Sequence, residues 1–344
     1  MEVAAFFKQS RVLIVAGKGG VGKTTVCAAL AQTAAEAGLS VLIVELEGKP
    51  GIPQAFGEDG SLDYEEVLLF EDDRSGGEVF ARRITPDDAL LEYLADHGMK
   101  RFSRRLVSSG ALDVVATAIP GIKDILVLGK VKQLERGERC DVVLVDAPAT
   151  GHVMTFLSSA SGLLDAARSG PLRTQAADVV ELLTDPERCR VALVTLPEEM
   201  PVNEAVEAAY KLEDRVGVSL GPIVINGCIP RVSGLGADPT EAAAEVGVDL
   251  APGLAQALSE AARFTQVRQE LQEDQLRRLS DELPLRQIRV PEIDGEAIGP
   301  DELTDIAESL RLGIEELHSS NPSHPLASSR DPEDPEAQPR RVTS

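Results

Sequence analysis

The chain has 344 residues, 43% of them hydrophobic and only 3% aromatic, with no tryptophan, so its core must be built from Ala, Val, Leu and Ile. A formal charge of −23 makes a surface that repels phosphate backbones and anionic lipid, which disfavours non-specific nucleic-acid or membrane binding. No apolar run approaches the roughly 18 residues that a membrane span demands. The opening "MEVAAFFKQSRVLIV" has neither the basic start nor the cleavage site of a leader, so a cytoplasmic protein without membrane insertion is expected.

In chain order, the first strand pattern is "RVLIVA" (11–16). It runs into a glycine-rich loop and then into "TTVCAALAQTAAEAG", an Ala-rich helix closed by Gly38 at its C-terminus. Further strand patterns are "VLIVE" (41–45), "DVVLVD" (141–146), "RVALVT" (190–195), "PIVIN" (222–226) and "RQIRV" (286–290). Most are nearly continuous apolar runs, as in strands covered on both faces of a parallel sheet. Strands alternating with helices in this way predict a doubly wound α/β fold. Residues 58–73 read as an acidic loop. Only helical patterns fill about 87–137 and 153–184, which predicts a helical subdomain over one end of the sheet. Residues 253–282 read as one charged helix, or two in sequence. A single domain over 1–318 is expected, followed at 319–344 by a Pro- and Ser-rich disordered tail.

The loop after the first strand carries the chemistry. Gly17, Lys18, Gly19, Gly20, Val21, Gly22, Lys23 and Thr24 match G-x-x-x-x-G-K-[ST] between a strand and a helix, and Thr25 follows. Glycines let backbone N–H groups turn inward around phosphates, and the helix N-terminus adds partial positive charge. ATP is the expected ligand, with Lys23 reaching its β- and γ-phosphates and Thr24 ligating Mg2+. Lys18 is superfluous to its own cradle. Two residues after the strand it points away from the cradle, toward a phosphate on another subunit, as an arginine finger supplied in trans does.

Asp146 ends a buried strand and precedes "APATGH", the place where a phosphate-loop enzyme holds the water shell of its Mg2+. Gly151 would let this segment move as a switch. Glu47, just past the second strand, is placed to orient an attacking water, and Glu45, two residues earlier, is the alternative. Asn226, at a strand end before Gly227, is either a reader of the adenine edge or a turn-initiating residue. Lys100, Arg101, Arg104 and Arg105 form a cluster that reads as a solvated helix face. Cys27, Cys140, Cys189 and Cys228 are far apart with apolar neighbours, so buried reduced thiols are expected rather than a metal or disulfide framework.

With these residues in hand, the chain resembles the ArsA family of the deviant Walker A class, which includes arsenite-pump ATPases and the ATPases that deliver tail-anchored membrane proteins. "GKGGVGKTT" resembles the loop of that class, whose early lysine crosses to the partner's nucleotide in a dimer that sandwiches ATP. "DAPATGH" is similar to the family's second switch, "AIPGIKD" (118–124) to a segment of its helical subdomain, and "VPEIDGE" (290–296) to its proline-led loop beside adenine. The resemblance, which runs from about residue 11 to 312, implies a P-loop NTPase fold and ATP hydrolysis, and adds Pro291 to Asn226 at the adenine. It departs in four ways. Glu47 stands where the family's first switch has a catalytic Asp. The C-x-x-C that holds zinc across the dimer in the targeting branch is missing, as is a second ATPase half. Four methionines are too few for a Met-lined groove.

These features predict an ATPase that couples turnover to a dimer switch serving transport or targeting, as a homodimer or as a heterodimer with a paralogous ATPase. The alternatives are an ATP-switched chaperone for hydrophobic membrane-protein segments and a regulatory ATPase paired with a paralogue. The partner or cargo would be a membrane protein, and not nucleic acid.

Overall fold

The computed structural model describes residues 2–46, 51–96, 121–137, 139–293, 295 and 297–317. Among them, β-branched runs form one sheet. Its strands are β1 (Val12–Gly17), β2 (Ser40–Glu45), β3 (Val67–Glu71), β4 (Glu78–Arg83), β5 (Val142–Ala149), β6 (Cys189–Thr195), β7 (Ser219–Leu220), β8 (Ile223–Cys228) and β9 (Gln287–Pro291). Their order is β3-β4-β2-β5-β1-β6-β8-β9, with the short β7 beside β6. All pairings are parallel except β3 with β4. β1 is buried at every position, since strands flank it and helices cover both its faces. This is the predicted doubly wound P-loop NTPase architecture.

The helices are α1 (Val3–Phe7), α2 (Lys23–Glu36), α3 (Gly51–Ala55), α4 (Pro86–Asp96), α5 (Ile122–Arg136), α6 (Thr150–Ala166), α7 (Pro171–Thr184), α8 (Glu199–Lys211), α9 (Pro239–Glu245), α10 (Leu254–Glu282) and α11 (Pro300–Glu316). Because strand side chains alternate, each strand feeds two cores. Val41, Ile43, Val142 and Leu144 pack with α1, α2, α3 and α11. Leu42, Val44, Val143 and Val145 pack on the other face with α4, α5, α6, α7 and α8. The helices of the two helical stretches also pack on one another, α5 touching α4, α6 and α7. The run after residue 253 is a single helix of 29 residues, in which only Leu276 and Leu279 are buried.

Two elements differ from the sequence expectation. Residues 58–73 are not all loop, because β3 pairs antiparallel with β4 and extends the sheet beyond β2. The turn between them is closed by the Asp72 N–H on the Gly77 carbonyl (2.9 Å) and the Ser75 N–H on the Asp72 carboxylate (2.9 Å). β3 is an edge strand with Val67 and Leu68 exposed, so it lacks the buried apolar run that marks the inner strands. The second difference lies after Asp146. β5 continues to Ala149 and α6 starts at Thr150, which puts Gly151 in a helical turn instead of a free loop. Residues 319–344, the basic cluster at 100–105 and "AIP" at 118–120 lie outside the described residues.

Candidate nucleotide site

The loop lies at the carboxyl end of β1 and opens α2, so the first N–H groups of a 14-residue helix face it. Two of its glycines are required by their surroundings. A Cβ on Gly17 would lie 2.3 Å from the Val194 carbonyl oxygen of β6. Gly22, the residue before α2, has φ of 85°, and a Cβ there would lie 2.3 Å from the Asn226 side-chain nitrogen. The tight strand-to-helix turn therefore comes from backbone packing.

Inside the loop, Lys23 Nζ donates to the Lys18 carbonyl at 3.0 Å. One residue on, Thr24 Oγ1 donates to Asp146 Oδ2 at 2.8 Å. Asp146 is only 8% exposed, and burial, with the Asp146 charge added, pushes the neighbouring Cys27 thiol up. A hydroxyl and a carboxylate side by side are hard oxygen donors suited to Mg2+. No group of three or more His, Cys, Asp or Glu side chains among the described residues could hold a metal alone. An ion here would thus share its shell between these two side chains, phosphate oxygens and water, the usual arrangement for Mg2+ in an ATPase.

Glu47 lies in 47–50, outside the described residues. On one side of that gap is β2, ending at Glu45; on the other is Gly51, where a Cβ would lie 3.0 Å from Thr24 Cγ2. Glu45 itself is 1% exposed and in register with Asp146 on β5 and Arg83 on β4. Asn226 Nδ2 donates to the Val21 carbonyl at 3.0 Å, so this amide braces the loop from β8. Pro291 ends β9 in register with Cys228 of β8, two residues from Asn226.

Lys18 turns to the other side. Its Nζ is 2.6 Å from Glu204 Oε1 on α8, and both side chains are about a third exposed (32% and 34%). Glu204 was missed by the sequence analysis, because "PVNEAVEAA" shows only helical periodicity and nothing local ties it to a loop 186 residues away. Cys27, Cys140 and Cys189 are buried as expected, but Cys228 is only partly so, since it sits where β8 leaves the sheet. Burial pushes the thiols of Cys140 and Cys228 up to about 11 and that of Cys189 to about 12. Isolated protonated thiols offer no soft-metalloid cage.

The comparisons with known proteins find ATPases. The family model described as "Anion-transporting ATPase" matches residues 10–167, from the strand before the loop through the helix after Asp146. The ATPase BagA of Mycobacterium tuberculosis is 37% identical over 227 residues, 64% of this chain and 66% of that protein. The arsenical pump-driving ATPase of Escherichia coli is 27% identical over 240 residues, 64% of this chain and 40% of that protein. The ATPase get3 of Schizosaccharomyces japonicus is 28% identical over 183 residues, 51% and 54% respectively. The chain thus spans just under two thirds of the mycobacterial relative and less of the other two. Among the described residues, no helix is long and apolar enough to cross a membrane.

Proposed function

We propose that this chain, which belongs to the ArsA-type ATPases, binds ATP with Mg2+ and hydrolyses it to ADP and phosphate to drive a dimer switch. The observation that carries this is the Thr24–Asp146 hydrogen bond beside Lys23 at the mouth of a phosphate loop. It sets a metal-binding hydroxyl and carboxylate next to the one cation of the cradle. Mg2+, when bound, would neutralise charge on the phosphate oxygens. The chain's own groups do the rest. Loop N–H groups and the α2 N-terminus hold the phosphates, Lys23 draws charge from the leaving group, and Glu47 orients the attacking water. Asn226 and Pro291, on neighbouring strands beside the loop, form the adenine end.

Lys18 is partly exposed and lies outside its own cradle, which supports a role across a two-chain interface, with a second copy or a paralogue supplying the other half. We place the protein in the cytoplasm, serving a membrane-protein partner or cargo. The test is phosphate release from ATP by the full chain, with and without Mg2+, and by its Lys23→Ala variant. Metal-dependent turnover lost in the variant is expected; turnover that survives Lys23→Ala sinks the assignment.

A second reading is an ATP-switched carrier for apolar membrane-protein segments. It is favoured by an open groove of 640 Å³ along α6 and α7, lined by Thr155, Ser159, Gly162, Leu163, Ala166 and Leu172 among others. Its mostly small side chains would admit a few apolar side chains of such a segment. ATP-dependent crosslinking of a labelled apolar helix to Gly162→Cys would support it, and equal labelling without ATP would remove it.

A further inference from the structure

The base side of the nucleotide site is built on backbone that the sheet does not hold. The register of β8 with β6 ends at Ile225, and its register with β9 breaks between Ile225 and Cys228. Asn226 and Gly227 lie in that break, yet the Asn226 amide has to stay on the Val21 carbonyl to brace the loop. Backbone N–H and C=O groups that leave a ladder need other partners. Those of residues 227–230 find them on one face of α10.

Gln269, Gln272, Leu276 and Leu279 follow one another at helical spacing, so they share that face. Leu276 and Leu279 are buried and seat the helix. The two glutamines continue the face toward residues 227–230. Gln272 makes two bonds there: its Oε1 accepts from the Ile229 N–H at 2.9 Å, and its Nε2 donates to the Gly227 carbonyl at 3.0 Å. Gln269 Nε2 donates to the Pro230 carbonyl at 2.7 Å. An amide suits this position because it donates and accepts at once, whereas an ionised carboxylate or an ammonium does only one. Arg268 of the same helix reaches Glu292, just after Pro291, but that pair is 43% and 40% exposed and so contributes little.

The Gln272 clamp sits one residue from Asn226. With Nδ2 held on the Val21 carbonyl, the Asn226 amide is kept from flipping, so Oδ1 is the end that accepts from a base. An acceptor there suits the 6-amino group of adenine and opposes the 6-oxo group of guanine or hypoxanthine. We propose that Gln272 is a positioning residue for base recognition. By holding the Gly227 carbonyl and the Ile229 N–H it fixes the backbone that aims Asn226, and so sets a preference for 6-amino over 6-oxo purines. The inference rests on the adenine-end assignment of Asn226, and the test separates the two.

The test measures binding rather than turnover. Dissociation constants of the full chain for ADP, IDP and pyrophosphate, each with Mg2+, are read by isothermal titration calorimetry. The unaltered chain should prefer ADP to IDP. Gln272→Leu keeps the bulk of the side chain and removes both bonds. It should lower that preference about fivefold, the net contribution of one hydrogen bond, with pyrophosphate affinity unchanged. Gln269→Leu, which loses one exposed bond, should shift the preference less. In an Asn226→Ala background Gln272→Leu should change it no further, because the two residues act through one contact. An unchanged preference in Gln272→Leu, with only a lower melting temperature, would make the clamp purely structural and overturn the proposal. An undiminished effect in the Asn226→Ala background would overturn it too. If Gln272→Leu does not fold, Gln272→Glu decides by the same readout, since it keeps the acceptor for Ile229 and loses the donor to Gly227. Equal binding of ADP and IDP by the unaltered chain, with pyrophosphate bound, would remove the adenine-end assignment and the proposal with it. Failure to bind any of the three would instead remove the nucleotide site itself.

Discussion

Two lysines leave one loop five residues apart and enter different surroundings. Lys23 opens α2, is tied back to the loop carbonyl of Lys18, and stands beside the Thr24–Asp146 pair. Everything it needs in order to hold a phosphate comes from the same chain. Lys18 faces outward and is paired with Glu204 at a surface where both are about a third exposed. An ion pair so open to water contributes at most about 1 kcal/mol, so it cannot hold Lys18 against a stronger anion. The inner half of the loop is complete in one chain, and the outer half is held only by a partly exposed ion pair. On the proposed dimer reading, that contrast puts the switch on the Lys18 side.

The largest effect should come from the inner half. Lys23→Ala should lower hydrolysis on the order of a thousandfold and weaken nucleotide binding, because a preorganised cation at developing negative charge is lost. A nucleotide titration followed by phosphate release checks both.

Lys18→Ala should leave ATP affinity within a few-fold of the parent yet cut hydrolysis on the order of a hundredfold, the lower range for a finger residue. Mixing sharpens the comparison. A dimer of one Lys18→Ala chain and one Lys23→Ala chain has one site with an intact cradle whose partner still carries Lys18. Such a mixed dimer should recover activity at that site, although each parent is inactive. No recovery in verified mixed dimers would return Lys18 to its own loop and erase the contrast.

Glu47→Gln should bind ATP and Mg2+ normally and hydrolyse about a hundredfold more slowly, and excess Mg2+ should not rescue it. Single-turnover rates of Glu47→Gln and Glu45→Gln separate the two acids. If Glu45→Gln is the slow one instead, the water-orienting carboxylate is Glu45 and the first-switch alignment is off by two.

How much of this was legible depends on how far apart the cooperating residues are in sequence. The loop is a contiguous run of eight, and Asp146 announces itself at the end of an apolar strand, so both could be found from pattern alone. The inner strands share that clarity because burial on two faces leaves an unbroken apolar run. β3 lacks it. This edge strand is half exposed, and its pairing with β4 shifts register between Leu68 and Phe70, which blurs the alternation. The partner of Lys18 was illegible for a different reason. Glu204 is an ordinary acid on an amphipathic helix. Only the seat of α8 brings it to the site.

The smallest expected effect is the one most specific to the outer half. Glu204 holds Lys18 within its own chain, so Glu204→Gln should free the lysine while leaving the cradle, Thr24 and Asp146 untouched. The gain is bounded by the worth of a partly exposed pair, about 1 kcal/mol or less, which corresponds to roughly a fivefold change in an equilibrium. The ATP-dependent dimer of Glu204→Gln should therefore form two- to fivefold more tightly in sedimentation equilibrium, and the difference should shrink in high salt as screening removes the pair from the parent chain as well. The direction is the informative part. Weaker association would mean that Glu204 aligns Lys18 for its crossing instead of restraining it. The outer half of the loop would then be as preorganised within one chain as the inner half.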